Sequence, residues 1–302
     1  MHALPDIQEI KEFTRGKIIN TMDLTNAYFS IKIEPQDIHK TNFYFQDEIL
    51  ALSRLPQGPF NSPPYLSRAT KCTFTTTMLA SILNKYNIKH GISSLPPPNN
   101  PSTKSPLVRK MEKTLGNGYF ATIVFPYVRW DQFLRVYMDD LIFGVPKTHE
   151  DAKRLMPIIT ILVFHALQEV GYIVSGSKVS LEHTEFKFLG VTINTETNYS
   201  VITNDRVQAI ATWRQPGKVA ETISRLATLN YYSNYLIALK LLALPLAQMV
   251  KSNVFVWNQS CAKAWNNIKF LMSLAIKNYT LDPNKPLLIS TDASKLAASF
   301  CA

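Results

Sequence analysis

The chain has 302 residues, with 32 Lys and Arg against 22 Asp and Glu, a formal net charge of +10 and a sequence pI of about 9.4. This surplus favours polyanionic partners such as nucleic acid, although anionic lipid satisfies the same electrostatics. The 3 cysteines are far apart, which argues against a disulfide framework or a zinc site, and no apolar run approaches the roughly 20 residues of a membrane span. We therefore expect an intracellular, soluble protein of more than one lobe, neither secreted nor membrane-embedded.

The first part of the chain predicts short strands and one long helix. Residues 17–23 predict a strand that ends in an acid, and two apolar runs around a polar turn predict a hairpin over residues 41–52. Proline in the first turn favours a helix that we expect over residues 65–86. Residues 89–130 are rich in Pro and Asn near their centre, which predicts an insertion on the surface.

The segment 133–145 predicts a further hairpin with two acids at its tip. β-Branched and aromatic residues flank the tetrapeptide Tyr137-Met138-Asp139-Asp140 on both sides. Asp is depleted in strands, and adjacent carboxylates repel each other unless a cation neutralises them. Hard cations such as Mg2+ prefer carboxylate oxygens, so the tip indicates a divalent-metal site. For these four residues alone, a solvated Asp-Asp turn is the alternative.

The second part of the chain predicts mostly helices. A capping box at residues 148–151 starts a helix that should end at Gly171, with Pro157 expected to kink it or to trim its first turns. A strand is expected over residues 186–194. Beyond it the pattern predicts three helices and a last strand, over residues 205–213, 219–236, 262–277 and 286–292.

Five short motifs follow one another along the chain. They are MDLTNAYFSI at residues 22–31, LPQGPFNSP at 55–63, YMDDL at 137–141, GYIVSGSK at 171–178 and FLG at 188–190. Together they resemble the five palm motifs of reverse transcriptases from LTR retrotransposons and retrovirus-like Pol polyproteins. Further on, the sequence from about residue 230 to 265 resembles their thumb and connection, and residues 287–294 resemble the opening strand of an RNase H domain.

The resemblance implies an α+β fold, namely a polymerase palm with an antiparallel sheet and packed helices, partial fingers, and a helical thumb and connection. It places the palm and partial fingers in residues 1–204, with the insertion at about 89–130, and the thumb and connection in residues 205–283. Residues 284–302 are then the start of a truncated RNase H domain, from which no RNase H activity is expected.

The resemblance also assigns the catalytic residues. Asp23, Asp139 and Asp140 are expected to hold two Mg2+ ions, for which Mn2+ can substitute, with the backbone carbonyl of Leu24 as a further ligand. Lys178 matches a lysine that protonates the departing pyrophosphate. Taken alone, Asp23 is an ordinary strand-end acid and Lys178 a solvated surface lysine.

Other motif residues are expected to contact the substrates. By resemblance, the ring of Tyr28 lies beneath the sugar of the incoming nucleotide and excludes ribonucleotides, whereas a core tyrosine is the alternative. The absence of a side chain at Gly58 would allow close passage of the nucleotide. The expected substrate-binding residues are Leu24, Tyr28, Gln57, Gly58, Tyr137 and Met138, and those of the primer grip are Phe188, Leu189 and Gly190.

These residues predict an RNA-directed DNA polymerase that adds deoxynucleotides from their triphosphates to a primer on an RNA or DNA template. The family further implies cytoplasmic virus-like particles or the nucleus as its location, and allows homo- or hetero-oligomers within Pol. One alternative is a catalytically impaired, nucleic-acid-binding remnant, because basic residues that clasp the triphosphate have no evident counterpart ahead of Asp23. A second alternative is a purely structural part of a polyprotein. A third is an oxidoreductase, because GNGYFA at residues 116–121 fits a loose dinucleotide-binding fingerprint. The strand predicted after this segment argues against that function, since the fingerprint must open a helix.

Overall fold

A computed structural model of the protein describes residues 7–59, 61–92, 113, 123–236, 238–274, 276–279, 290–293 and 298–301. The chain divides into two compact units, Met1–Phe186 with Asn194–Thr197, and Lys187–Ile193 with Asn198–Ala302. Both helices and antiparallel sheets are present, and the predicted α+β class is confirmed. The finer division at residues 204 and 283 stays a prediction. Among the described residues, no helix combines the length and the apolarity that a bilayer crossing requires.

The first unit is built on an antiparallel sheet covered by helices. Its elements in chain order are α1 (Ile7–Thr14), β1 (Lys17–Thr25), α2 (Ala27–Ser30), β2 (Phe43–Phe45), β3 (Glu48–Leu50), α3 (Ser62–Thr73), α4 (Thr76–Lys85), β4 (Lys89–His90), β5 (Val124–Phe125), β6 (Leu134–Tyr137), β7 (Asp140–Pro146), α5 (Ala152–Val170), β8 (Ile173–Val174) and β9 (Ser180–His183). The sheet order is β6-β7-β1-β8, with β9 also paired to β1. Strand β1 therefore contacts three other strands, and its C-terminal end is fixed from both sides.

Helix α5 supplies much of the core beneath this sheet. It packs against α3, α4 and β7, and its buried face includes Leu155, Ile159, Leu162 and Ala166 at the three- and four-residue spacing of a helix. The helix ends at Gly171, whose φ of 87° only glycine adopts at little cost, as predicted.

The predicted start of α5 is wrong in detail. The N-cap is Asp151 and makes no side-chain capping hydrogen bond, so the expected box at residues 148–151 does not form. Its backbone N–H instead donates to Nδ1 of His149 at 3.1 Å. Pro157 lies inside the helix, which begins before it at Ala152, so the proline does not trim the first turn. As the sixth residue of the helix it removes one backbone hydrogen bond, and burial of the apolar face of α5 offsets that loss.

The long helix predicted over residues 65–86 is two helices, α3 and α4. The break falls at Thr75, whose side chain accepts a hydrogen bond from the backbone N–H of Met78 at 3.1 Å, since threonine is more favourable as an N-cap than inside a helix. The carbonyl of Thr75 also accepts a hydrogen bond from Nε1 of Trp130 at 2.8 Å. A local capping bond and a distant indole thus divide the segment.

The ends of the predicted insertion belong to the fold rather than to the surface. Strands β4 and β5 pair in parallel, and Ile123, Phe125 and Trp130 are buried in the core of the first unit. The apolar side chains near its C-terminal end explain this difference, because burying them stabilises the fold. The centre of the insertion, including the GNGYFA segment, lies outside the described residues.

The second unit combines a small sheet with helices. After β10 (Glu185–Phe188), where the first unit ends, the elements are β11 (Val191–Asn194), β12 (Tyr199–Ile202), α6 (Asn204–Ala211), α7 (Val219–Tyr231), α8 (Leu239–Leu242), α9 (Leu244–Ser252), α10 (Gln259–Ser273), β13 (Asn278–Tyr279), β14 (Ser290–Ala293) and β15 (Ala298–Cys301). The sheet order is β10-β11-β12-β13, and β14 pairs antiparallel with β15. Most of the strand predicted at residues 286–292 lies outside the described residues.

Aromatic side chains pack between the helices of the second unit. The rings of Trp213 and Trp265 stack with centroids 6.2 Å apart, and the guanidinium of Arg225 lies 4.5 Å from the ring centroid of Trp213. Helix α10 packs against α6 and α9. The single strand expected over residues 186–194 is wrong, because a turn at Leu189 and Gly190 separates β10 from β11.

Candidate active site

The predicted hairpin with two acids at its tip is present. Strands β6 and β7 pair antiparallel, and their last pair is Tyr137 with Asp140. The intervening Met138 has a φ of 54°, as tight two-residue turns require. Leu141 and neighbouring residues of β7 are fully buried, so the core holds the tip in one position.

The third predicted acid comes from the neighbouring strand. Strand β1 runs antiparallel to β7 in a register that makes Asp23 the partner of Asp140. The backbone N–H of Leu24 donates to the carbonyl of Asp139 at 3.0 Å. The structure therefore brings the sequence-distant acids Asp23, Asp139 and Asp140 to the same end of the sheet.

A glycine in β7 makes this register possible. A Cβ atom at Gly144 would lie 2.1 Å from the carbonyl oxygen of Ile18, a distance that no side chain can adopt. Gly144 is the register partner of Ile19, four residues before Asp23 on β1. An isolated Gly within an apolar strand pattern indicates such a close backbone approach, and sequence reasoning did not use this signal.

Lys178 lies beside the acids. It ends a short 3-10 helix, Gly176–Lys178, and its ammonium group donates a hydrogen bond to the carboxylate of Asp23. The preceding Ser175 donates its backbone N–H to the carbonyl of Asp23 at 3.1 Å, which fixes the segment against β1. The Asp23 side chain is 16% exposed and that of Lys178 is 64% exposed.

Burial and mutual repulsion perturb the acids at the hairpin tip. Burial, and then the charges of Asp139 and Asp23, raise the pKa of Asp140 to about 6, although Lys178 acts in the opposite direction. The pKa of Asp139 is also raised, chiefly by burial and further by Asp23. The pKa of the Lys178 ammonium is raised as well, mainly by the hydrogen bond from Lys178 to Asp23. Perturbed groups of this kind are typical of functional sites.

These side chains fit a divalent cation in their chemistry. Three carboxylates offer the hard oxygen donors that Mg2+ prefers, and such an ion would relieve the repulsion that raises the pKa values. In the described part of the chain, however, no three or more His, Cys, Asp or Glu side chains are arranged to hold a metal ion jointly. The cation in contact with Asp23 is the ammonium of Lys178.

The predicted substrate-binding residues of the first unit fall into two groups. Tyr28 lies on α2, is half-buried and sits close enough to Asp139 for that charge, after burial, to raise its pKa. The pKa of Tyr137 is raised by burial and by Asp140. Tyr28, Tyr137, Met138 and the Leu24 backbone thus surround the acids, whereas Gln57 and Gly58 are exposed on the loop before α3. Gly58 has a φ of 112°, which side chains rarely adopt.

Sequence reasoning missed Asn20, a buried polar residue on β1. Its Oδ1 accepts a hydrogen bond from the backbone N–H of Glu182 at 2.6 Å, and its Nδ2 donates to Oγ1 of Thr160 at 2.9 Å. Pairing between β1 and β9 is irregular between Ile19 and Thr21, so the amide replaces ladder hydrogen bonds there. A polar residue amid the apolar sequence of β1 is the signal that could have indicated it.

The predicted primer grip lies in the second unit. Phe188 is buried at the end of β10, and Leu189 and Gly190 form the turn to β11. The hydroxyl of Tyr231 donates to the carbonyl of Leu189 at 3.0 Å. Sequence reasoning did not anticipate this contact with α7.

An antiparallel sheet with acids at the adjacent ends of two central strands defines the class as a polymerase palm. Residues 1–193 match the family described as reverse transcriptase (RNA-dependent DNA polymerase). The chain therefore belongs to the reverse transcriptase family, and the resemblance drawn from the five motifs is confirmed.

Relatives and solved structures agree with this membership. The chain is 23% identical over 300 residues to the transposon Tf2-3 and Tf2-4 polyproteins of Schizosaccharomyces pombe, an alignment that covers 98% of this chain and 18% of each polyprotein. It thus spans less than a fifth of those relatives. A foamy viral protease-reverse transcriptase in complex with an RNA/DNA hybrid has the same fold, with a TM-score of 0.58 and 20% identity over 97% of this chain and 32% of that one. Its complex with double-stranded DNA gives a TM-score of 0.58 and 22% identity, over 97% of this chain and 42% of that one.

Proposed function

We propose that this chain is the polymerase part of a retroelement Pol polyprotein, and that it extends a primer with deoxynucleotides on an RNA or DNA template. The observation that carries the proposal is the meeting of Asp23, Asp139 and Asp140 at one end of the palm sheet. Folding alone does not favour that meeting, because the carboxylates raise one another's pKa values. A site that must bind divalent cations and phosphate explains it.

Each residue near the acids has a role in this proposal. Asp23, Asp139 and Asp140, with the Leu24 carbonyl, would hold two Mg2+ ions, which when bound activate the primer hydroxyl and neutralise the triphosphate. Lys178, already at the acids, would supply the proton to the leaving pyrophosphate. The position of Tyr28 beside Asp139 supports its role against the sugar of the nucleotide.

The charge distribution supports a nucleic-acid partner. Residues 187–302 contain 12 Lys and Arg against 5 Asp and Glu, a surplus of +7 out of the +10 of the whole chain. Such a segment attracts phosphate backbones by counterion release, so binding should weaken steeply with salt. Assembly into oligomers and location in virus-like particles are further proposals, which follow from the family alone.

The impaired remnant is the second candidate, because the Lys178 ammonium is bound to Asp23 and no three acids are arranged for joint coordination among the described residues. Extension of a labelled primer–template by the purified chain, with Mg2+ or Mn2+, separates the two functions. We expect extension by the wild type and none by Asp139→Asn, with similar primer–template affinity for both. Asp131→Asn, at an exposed carboxylate, is the matched control and should extend normally. Salt-sensitive binding without any incorporation would establish the remnant instead.

A further inference from the structure

The turn that carries the predicted primer grip has an unfavourable backbone conformation. Strands β10 and β11 are joined by two residues, Leu189 and Gly190, whose φ angles are 50° and 79°. Two positive φ angles are the signature of a type I′ turn, which normally takes Asn, Asp or Gly at both positions. Glycine adopts this conformation freely, whereas a leucine is strained there. Residues outside the hairpin therefore help to hold the turn.

Residues at the start of α6 and at the end of α7 surround the turn. Tyr231 Oη donates to the carbonyl of Leu189 at 3.0 Å, and the backbone N–H and Oγ1 of Thr203 donate to the carbonyl of Gly190 at 3.1 and 3.2 Å. A Cβ atom at Gly190 would lie 2.6 Å from Tyr232 Oη, so this ring closes the other side. The two tyrosine rings pack edge to face, with centroids 4.9 Å apart.

The two tyrosines differ in what they contribute. Tyr232 is 5% exposed, and its burial, which raises the pKa of its hydroxyl, makes it part of the core of the second unit. Tyr231, the last residue of α7, is 43% exposed. An exposed hydroxyl can bond to water instead, so its bond to Leu189 contributes little to net stability while still defining the position of that carbonyl. Tyr231 therefore allows the position of the turn to be changed without unfolding the protein.

We propose that Tyr231 is a positioning residue for the primer 3′ end. By holding the Leu189 carbonyl, it fixes the turn at residues 188–190, and through this turn the primer terminus at which the next nucleotide is added. The inference rests on the proposed function and on the primer contact that the family resemblance implies for residues 188–190. In-line transfer requires the reacting atoms to be aligned, so a small displacement of the terminus slows the reaction far more than it weakens binding.

The test compares Tyr231→Phe with Tyr279→Phe in the full chain. Both changes remove one hydroxyl from an exposed tyrosine of the second unit, but Tyr279 contacts Tyr199 through its ring and lies on β13. Single-nucleotide extension from matched and mismatched primer ends gives kcat and KM, fluorescence anisotropy gives the primer–template Kd, and thermal unfolding gives Tm. For Tyr231→Phe we expect kcat on the matched primer to fall about five- to tenfold and the preference for the matched end to decrease. Its Kd and Tm should equal those of the wild type, and Tyr279→Phe should match the wild type throughout.

Each other outcome has a defined meaning. Equal kcat values and equal primer preference for the two variants would overturn the role of Tyr231 while leaving the polymerase function intact. A fall in Tm and in primer–template affinity that accounts for the loss of rate would also overturn it, because the hydroxyl would then support the fold rather than place the primer. If the wild-type chain binds the primer–template but does not extend it, whether Mg2+ or Mn2+ is supplied, the proposed function fails, and the inference fails with it.

Discussion

Replacing Asp140 by Asn should stabilise the metal-free protein at neutral pH. The folded protein raises the pKa of this carboxyl from 3.8 to about 6, first by burial and then by repulsion from Asp139 and Asp23. Between these values the folded state binds more protons than the unfolded state, so the free energy of unfolding decreases as the pH rises through this window. Above pH 6 the full cost of the buried charge is present, and the neutral amide avoids it.

The size of the effect follows from the shift. A change from 3.8 to about 6 corresponds to about 3 kcal/mol, since each pKa unit is worth about 1.36 kcal/mol. Asp140 is partly exposed, so solvent screening reduces the expected gain to about 1–2 kcal/mol. That gain is large beside the effect of an ordinary surface substitution, which stays within about 0.5 kcal/mol.

Guanidinium unfolding in the presence of a chelator, from pH 4 to pH 7.5, measures this difference. Asp140→Asn should be more stable than the wild type at pH 7.5, and its advantage should decrease steadily towards pH 4. Asp47→Asn, at an exposed acid of the β2–β3 turn, is the control and should follow the wild type. No gain at pH 7.5, or a gain that is the same at every pH, would refute the electrostatic explanation.

Three further predictions concern single residues. Asn20→Leu should lower the free energy of unfolding by about 2–4 kcal/mol in chemical denaturation, because it removes both hydrogen bonds of a buried amide and leaves the N–H of Glu182 without this partner. A loss below 1 kcal/mol would contradict that role. Lys178→Ala should bind Mn2+ more tightly in calorimetry, by up to about fivefold, because the competing ammonium on Asp23 is gone; weaker binding would show that Lys178 does not compete with the ion. Tyr28→Ala should incorporate ribonucleotides in single-nucleotide assays that the wild type rejects, and unchanged discrimination would remove Tyr28 from that role.

The parts of the site that sequence predicted are those with a local signal. The hairpin of residues 133–145 and the helix end at Gly171 follow from apolar patterning and from the conformational freedom of glycine, and both are present. The position of Asp23 beside Asp140 has no such local signal, because no pattern in the sequence determines which residue of β7 pairs with Asp23. Only the family motifs implied that meeting, and the close backbone approach at Gly144 is its physical basis.

The missed features depend on contacts between distant residues. FKFLGVTIN lacks the Asn-Gly or Asp-Gly signal of a two-residue hairpin, so residues 186–194 were predicted as one strand. In the structure, the carbonyl of Leu189 in this turn accepts a hydrogen bond from Tyr231, a residue more than forty positions later. The break at Thr75 likewise involves Trp130 from the far end of the insertion. Propensity alone cannot include such partners.

The charges at the palm sheet separate structural from functional explanations of the site. Three carboxylates and one ammonium leave a net negative charge at a partly buried position, and the raised pKa values of Asp139 and Asp140 show that this charge opposes folding. A residue retained only for the fold would not need to be an acid there, since a neutral amide of the same size fits the same space. The Lys178–Asp23 ion pair neutralises only part of the cluster and leaves the two acids of the turn repelling each other. A divalent cation that binds these acids would therefore gain both its own coordination energy and the relief of this repulsion. The free energy that repulsion costs the metal-free site would add to the free energy of metal binding.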